Sequence, residues 1–264
     1  MLSANTLPSP GSLTSQVIGE IPAWGMSSAT ELMGKLTSST APFPCTFAVS
    51  AAKKASLRFG FVDDLDDQET WAALPGIITS YLETYQQIAR ETSLIVLFRP
   101  ERETGDVAHY YRKFWDVLQY LHRHDPESWP DDVPEDPEDG RWEFSFAGTP
   151  IFVVCNTPAH KRRASRSNPE FMITFQPRWV FEELDSTSAR GIAARRVIRK
   201  RLRAFDSEQP SPELGSYGDP ENREWRQYFL PDDNAEKPGR CPFRHGAHGA
   251  HGATSAAQGE GTGD

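Results

Sequence analysis

Apolar residues recur every three or four positions between residues 66 and 90: Trp71, Leu74, Ile77, Ile78, Tyr81, Leu82, Tyr85 and Ile88. That spacing predicts a helix with one buried face. Pro75 lies inside the run, so the helix starts near it or kinks there. A second run of this kind, Tyr110, Phe114, Val117, Leu118 and Leu121, predicts a helix from about 106 to 122. The period then changes. "SLRFGFV" (56–62) alternates like a half-buried strand, and "SLIVLF" (93–98) is a short apolar run closed by Arg99-Pro100, which suits a buried strand. "RWEFSFAG" and "TPIFVVCN" read as two strands joined at Gly148 in a hairpin, and "FMITFQ" (171–176) as one more. "DSTSARGIAARRVIRKRLRAFD" predicts a helix with Asp185 or Ser186 as N-cap, its Ile192, Val197, Leu202 and Phe205 broadly opposite its Arg and Lys. "AWGMSSATELMGKLTS" predicts a short helix with Ser28 or Thr30 near its start. "HDPESWPDDVPEDPEDGRW" holds four prolines and many acids and must be a loop.

Helices and strands mix without a regular β-α-β rhythm and without an internal repeat. The expected fold is therefore α+β, a single domain with a largely antiparallel sheet flanked by helices and with disordered termini. Residues 1–20 are rich in Ser, Pro and Thr and are expected to be mobile, residues 21–245 form the domain, and residues 246–264 are a disordered tail rich in Gly, Ala and His. The segment after Gln209 is expected to meander over the domain, held by Trp225, Tyr228 and Phe229.

Composition narrows the function classes. A chain of 264 residues can bury one sizeable core. Its net charge of −9 argues against general polyanion binding, so nucleic acid is not an expected partner. No stretch of eighteen apolar residues predicts a membrane span. The start lacks the basic and apolar regions of a signal peptide, and the expected location is cytoplasmic. Cys45, Cys155 and Cys241 are odd in number and far apart, which does not suit a disulfide framework. The chain has no G-x-S-x-G, no H-E-x-x-H, no P-loop and no strand-embedded G-x-G-x-x-G, so simple serine-hydrolase, zinc-protease and nucleotide-binding readings lose support.

One segment carries candidate chemistry. In residues 153–179, His160 stands beside Lys161, Arg162, Arg163 and Arg166, in a turn between two predicted strands. A charged turn is usually a solvated one. Arginines in this number can also receive phosphates or carboxylates, and a neutral imidazole is a common haem ligand. Cys45 in "PFPCTF" is either a small buried residue or a thiolate ligand. Cys241 in "RCPFRH" is followed by Pro, as in some haem-binding peptides, and could instead join His245, His248 and His251 on a transition metal.

"FPCTFAVSAAKKASLRFGFV", "PIFVVCNTPAHKRRASR" with the following "FMITFQPRWVFEEL", and "RCPFRH" together resemble the YqcI/YcgG family over most of residues 40–245. The resemblance is nearest to the haem-dependent arginine N-hydroxylases of natural-product pathways, the cycloserine type among them. It implies a haem b cofactor, O2 and external electrons from a separate reductase, and a small-molecule substrate, most naturally L-arginine converted to N-hydroxyarginine. It also implies that Phe43, Pro44 and Cys45 match the family's aromatic-Pro-Cys, Val153 to Arg166 its strand and basic turn, and Cys241 to Phe243 its Cys-Pro-Phe. Candidate iron ligands are then His160 first, Cys45 second and Cys241 third, with Arg162, Arg163 and Arg166 facing haem propionates or a substrate carboxylate. Asp63, Asp64, Asp66 and Glu69 are candidates for meeting a cationic substrate, or else are a solvated helix start. A haem sensor or carrier without turnover, and a nucleic-acid module built on the basic segment 161–203, are the competing readings.

Overall fold

Alternation on the strands decides the architecture. The computed structural model describes residues 13–184, 188–217, 219–235 and 239–246. Five strands form one sheet in the order β1-β2-β5-β4-β3: β1 Leu57–Val62, β2 Ser93–Phe98, β3 Ser145–Phe146, β4 Thr149–Asn156 and β5 Met172–Pro177. Only β1 and β2 run parallel; β2–β5, β5–β4 and β4–β3 are antiparallel. The expected mostly antiparallel α+β domain is what the chain forms.

Leu94, Val96 and Phe98 of β2, Ile173 and Phe175 of β5, and Ile151, Val153 and Cys155 of β4 point to one face. They pack there against α3 Ala73–Leu82, α4 Tyr85–Ile88 and α5 Val107–Arg123, in a core dense with aromatic rings. Pro75 sits in the first turn of α3, where a missing N–H costs no helical bond, so the helix starts near it rather than kinking. On the other face, Leu57, Phe59 and Phe61 of β1 with Ile95 and Leu97 of β2 bury against α1 Gly25–Thr37 and α2 Thr46–Lys53. Beyond them, over β5 and β4, that second face is not filled by a helix. There the sheet is the floor of a cavity.

Several boundaries differ from the expectation. Within the segment expected to be mobile, Leu13 and Gln16 are buried and the backbone of Gln16 and Ile18 pairs with Phe59, while residues 1–12 lie outside the described residues. Helix α1 starts at Gly25, before Ser28 and Thr30, and a Cβ on Gly25 would stand only 3.0 Å from the Phe61 ring. The "RWEFSFAG" strand shrinks to Ser145–Phe146, because pairing with β4 ends there. Its turn is a two-residue one, Ala147-Gly148, with φ of 47° and 66°, matching the twist of a hairpin. Helix α2 was hidden by its own composition, since "TFAVSAAK" is too short for periodicity to show. Helix α6, Ala189–Phe205, is capped by Ser188, whose Oγ accepts from the Gly191 N–H at 3.0 Å; the expected caps Asp185 and Ser186 lie outside the described residues. The meander after Gln209 does cling: α7 Trp225–Tyr228 buries Trp225 and Tyr228 in the first core. Among the described residues, no helix is long and apolar enough to cross a membrane.

Candidate functional site

The cavity has a volume of about 600 Å3, within the usual range for a small-molecule or cofactor site. Its floor is the alternate set of strand residues, Phe152, Val154 and Asn156 of β4 and Met172, Thr174 and Gln176 of β5. Its roof is the inner face of α6, with Gly191, Ala194, Arg195, Ile198 and Leu202. Leu32, Lys35 and Leu36 of α1, and Cys45, Phe47 and Ala48 around the start of α2, close one end. Most of this surface is apolar, and the polar groups gather at two ends.

At the first end stands Cys45. It is the N-cap of α2, and its Sγ accepts from the Ala48 N–H at 3.5 Å. Burial raises the thiol's pKa, while the Ala48 and Phe47 N–H groups and the charges of Arg166 and Arg201 pull it down. A thiolate formed here, on binding a metal or an electrophile, would thus meet donors and cations already in place. Arg166 lines the same end. It is buried, its Nη2 donates to the Gln227 carbonyl at 3.0 Å, and its Nη1 has no hydrogen-bond partner. Burial lowers its pKa to about 10. An orphaned guanidinium nitrogen inside a protein is expensive, and such a group is commonly kept to meet a bound anion.

The basic turn itself folds inward. Three consecutive N–H groups, from Lys161, Arg162 and Arg163, converge on Asp232 Oδ1 at 3.0, 2.8 and 2.9 Å. The turn does receive an anion, but the anion is the chain's own carboxylate. Arg163 is spent on Pro231 O, Gln209 O and Asn234 Oδ1. Arg162 pairs at the surface with Glu208 and Asp233. His160 is buried with both ring nitrogens engaged, Nδ1 with Thr157 Oγ1 and Nε2 with the Leu230 carbonyl, each at 2.8 Å. Burial lowers its pKa. It does not line the cavity. Cys241 is buried in the first core, on the far face of the sheet, together with Cys155. Among the described residues no group of three His, Cys, Asp or Glu side chains is arranged to hold a metal ion; His248 and His251 lie outside them. Of the residues expected at the site, the fold therefore brings Cys45, Arg163 and Arg166 to the cavity and leaves His160, Arg162 and Cys241 elsewhere.

The second polar end was not foreseen. Glu143, Arg178, Gln176, Tyr217 and Glu224 line it. Glu143 and Glu224 are 2% and 5% exposed. Burial raises both carboxyls, Glu224 to about 7, although Arg178 opposes the rise in each. Arg178 ion-pairs with Glu143 and lies 3.2 Å from the centre of the Tyr217 ring. One guanidinium thus faces two carboxyls, and the second carboxyl holds a proton at neutral pH or awaits another cation. Asn222 fixes the arrangement by donating to Glu224 Oε2 at 3.1 Å and accepting from Gln227 Nε2 at 3.0 Å. Gly215 is required opposite it, since a Cβ there would come within 2.3 Å of Asn222 Oδ1. The acids expected to meet a cation stay outside: Asp63 pairs with Arg99 and Trp24, Asp66 with Lys113, and neither they nor Asp64 and Glu69 line the cavity. A sequence signal for the buried Glu143 existed. In "RWEFSF" the apolar Trp142, Phe144 and Phe146 alternate with Glu143, so the acid sits on the opposite face of a short chain segment that is buried on both.

The chain is 42% identical over 226 residues to YqcI of Bacillus subtilis (strain 168), covering 84% of this chain and 89% of that protein, whose function is uncharacterized. It is 38% identical over 229 residues to YcgG of the same organism, also uncharacterized, covering 86% and 90%. It is 30% identical over 238 residues, 86% and 87% of the two chains, to a Streptomyces lavendulae protein provisionally named N(omega)-hydroxy-L-arginine synthase DcsA. No solved structure matches it significantly. The YqcI/YcgG family description matches residues 32–244, a span that takes in Cys45, Arg166, Glu143 and Glu224, and the chain belongs to that family.

Proposed function

We propose that the protein is a haem-dependent monooxygenase that hydroxylates a guanidine nitrogen, with L-arginine as substrate. The observation that carries this reading is one apolar cavity with a soft donor and cations at one end and two buried carboxyls at the other. The likeness to a protein named as an N-hydroxyarginine synthase supports the choice of substrate. The residues fit the cofactor. A strand floor and apolar walls suit a macrocycle, Cys45 would offer a sulfur donor to its iron, and Arg166, Lys35 and Arg195 would offer positive charge for propionates. His160 has both ring nitrogens hydrogen-bonded and does not line the cavity, so among the candidate iron ligands Cys45 takes first place.

When bound, the haem would supply O2 activation and thiolate-assisted O–O cleavage. The protein's own contributions follow from its groups. Burial favours the neutral Cys45 thiol, and the Ala48 and Phe47 N–H groups and the Arg166 charge oppose that, so they would stabilise a thiolate once a ligand displaces the proton. Glu143 and Glu224 bind the guanidinium and orient its nitrogen, and Gln176 adds a polar contact from the floor. Helix α6 covers the cavity and excludes water. Overall, guanidine N–H, O2, two electrons and two protons give N–OH and water. The buried carboxyl with a pKa near 7 can supply one of those protons.

Protein from haem-replete cells should show a Soret band, with the CO-difference spectrum of a thiolate ligand. With arginine, O2 and a reductant it should release N-hydroxyarginine, detected by mass spectrometry. Loss of the band in Cys45→Ala but not in His160→Gln supports the ligand choice; the reverse pattern overturns it. Haem binding without hydroxylated product would make the protein a sensor or carrier.

A further inference from the structure

Helix α6 has two faces with different work. Its inner face roofs the cavity. Its outer face is one of the most unusual surfaces on the protein. Between residues 189 and 205 the helix carries seven Arg and Lys and no acid, in a chain of net charge −9. Arg196, Lys200 and Arg203 are spaced at i, i+4 and i+7 and are exposed. Ile192 and Val197 stand among them, 48% and 43% exposed. They are two of only four large hydrophobic side chains exposed among the described residues. No face of a solvated helix needs that combination, and clustered like charges on it weaken the helix itself.

We propose that this outer face is the docking surface for an acidic one-electron carrier protein, which serves the cavity beneath it. Charge complementarity selects the partner's sign. The exposed apolar Ile192 and Val197 flank the Arg196, Lys200 and Arg203 stripe, and a mixed apolar and cationic surface suits a protein partner better than a phosphate backbone, which needs charge alone. The acidic remainder of the chain repels a long polyanion, which also disfavours nucleic acid. Size agrees: a 17-residue helix is about 25 Å long, and transient redox contacts are small. So does position. The inner residues Ala194, Ile198 and Leu202 touch the cavity, so a carrier on the outer residues is about one helix diameter, ~10–12 Å, from the space inside. In each encounter the carrier's centre is oxidised by one electron and the cavity's occupant is reduced by one. Two encounters balance one hydroxylation. The electron-transfer part rests on the haem reading; the docking part does not.

The probe is a plant-type [2Fe–2S] ferredoxin, and binding is measured by calorimetry with the full-length protein at low and high ionic strength. Wild type should bind at low salt and weaken steeply as salt rises. Arg196→Glu/Lys200→Glu/Arg203→Glu should raise Kd about tenfold or more with an unchanged melting temperature. A second variant, Ile192→Ser/Val197→Ser, should weaken binding while keeping its salt dependence. In haem-loaded protein, reduction by ferredoxin should slow in both variants, whereas reduction by dithionite should not. A missing Soret band in the wild type would sink the haem reading and leave the binding measurement intact. Equal ferredoxin affinity in wild type and triple variant overturns the proposal, and so does a short DNA duplex that displaces ferredoxin from the wild type.

Discussion

Glu224 should make the protein less stable as it ionises, and removing its charge should show by how much. Its carboxyl is 5% exposed, and burial lifts its pKa from the ordinary 4.5 to about 7. Between those values the folded chain keeps a proton that the unfolded chain has released. The folded state therefore binds more protons, and stability falls as pH rises through that window. At about 1.4 kcal/mol per pH unit, the full cost of ionisation is about 3 kcal/mol, reached above pH ~7. Glu224→Gln keeps an oxygen to accept the Asn222 hydrogen bond and carries no charge. Urea unfolding of the two proteins should agree near pH 5 and diverge as pH rises, with the variant more stable by about 2–3 kcal/mol at pH 8. If the surplus carboxylate exists to receive a guanidinium, L-arginine at pH 8 should raise the wild-type unfolding midpoint and leave the variant's unchanged. A stability difference that does not change with pH, or a variant less stable than wild type at pH 8, refutes the assignment of a strained, ionisable carboxyl to this position.

Other consequences can be checked with the same preparations. His160→Ala removes the partner of both Thr157 Oγ1 and the Leu230 carbonyl in a buried site, and should cost about 2–4 kcal/mol in urea unfolding without abolishing cofactor binding. Because the His160 pKa is lowered by burial, the unfolded chain gains its proton first on acidification; the ring's contribution is complete above pH ~6.5 and is lost as pH falls below it, which a His160→Gln control should flatten. Cys45→Ser preserves an N-cap acceptor for Ala48 and should shift stability by less than about 1 kcal/mol, while any Soret band disappears. Gly215→Ala should drive a Cβ into Asn222, cost about 1–3 kcal/mol, and weaken arginine binding in calorimetry through the displaced Glu224.

The hydrophobic periods announced β1, β2, β4, β5, α3 and α5 because each buries apolar side chains in a regular pattern, whereas α6 was found although Ile192 and Val197, expected opposite its Arg and Lys, are exposed among them. Helix α2 escaped because eight residues leave too little of a 3.6-residue pattern to recognise. The site was legible only where one residue type was chemically odd in its own neighbourhood. Cys45 followed an aromatic-Pro pair and was found; Arg166 was found as one of a cluster, but nothing local distinguishes it from Arg162 and Arg163. That distinction is made by distant chain: Asp232, Pro231, Gln209 and Asn234 occupy the rest of the turn, Arg163 included, and leave Arg166 with an unpartnered guanidinium nitrogen at the cavity. Glu143 and Glu224 lie far apart in sequence and meet only because α7 packs against β4 through Tyr228, whose hydroxyl accepts from the Phe144 N–H at 3.1 Å and bonds the Ile151 carbonyl. The polar positions Thr174, Gln176 and Asn156 carried the more general clue. On strands whose opposite face is wholly apolar, three polar side chains on the inner one are costly to bury against a helix. They make sense on the floor of a chamber that holds something else, and a chamber of that kind is what separates the second face of this sheet from the first.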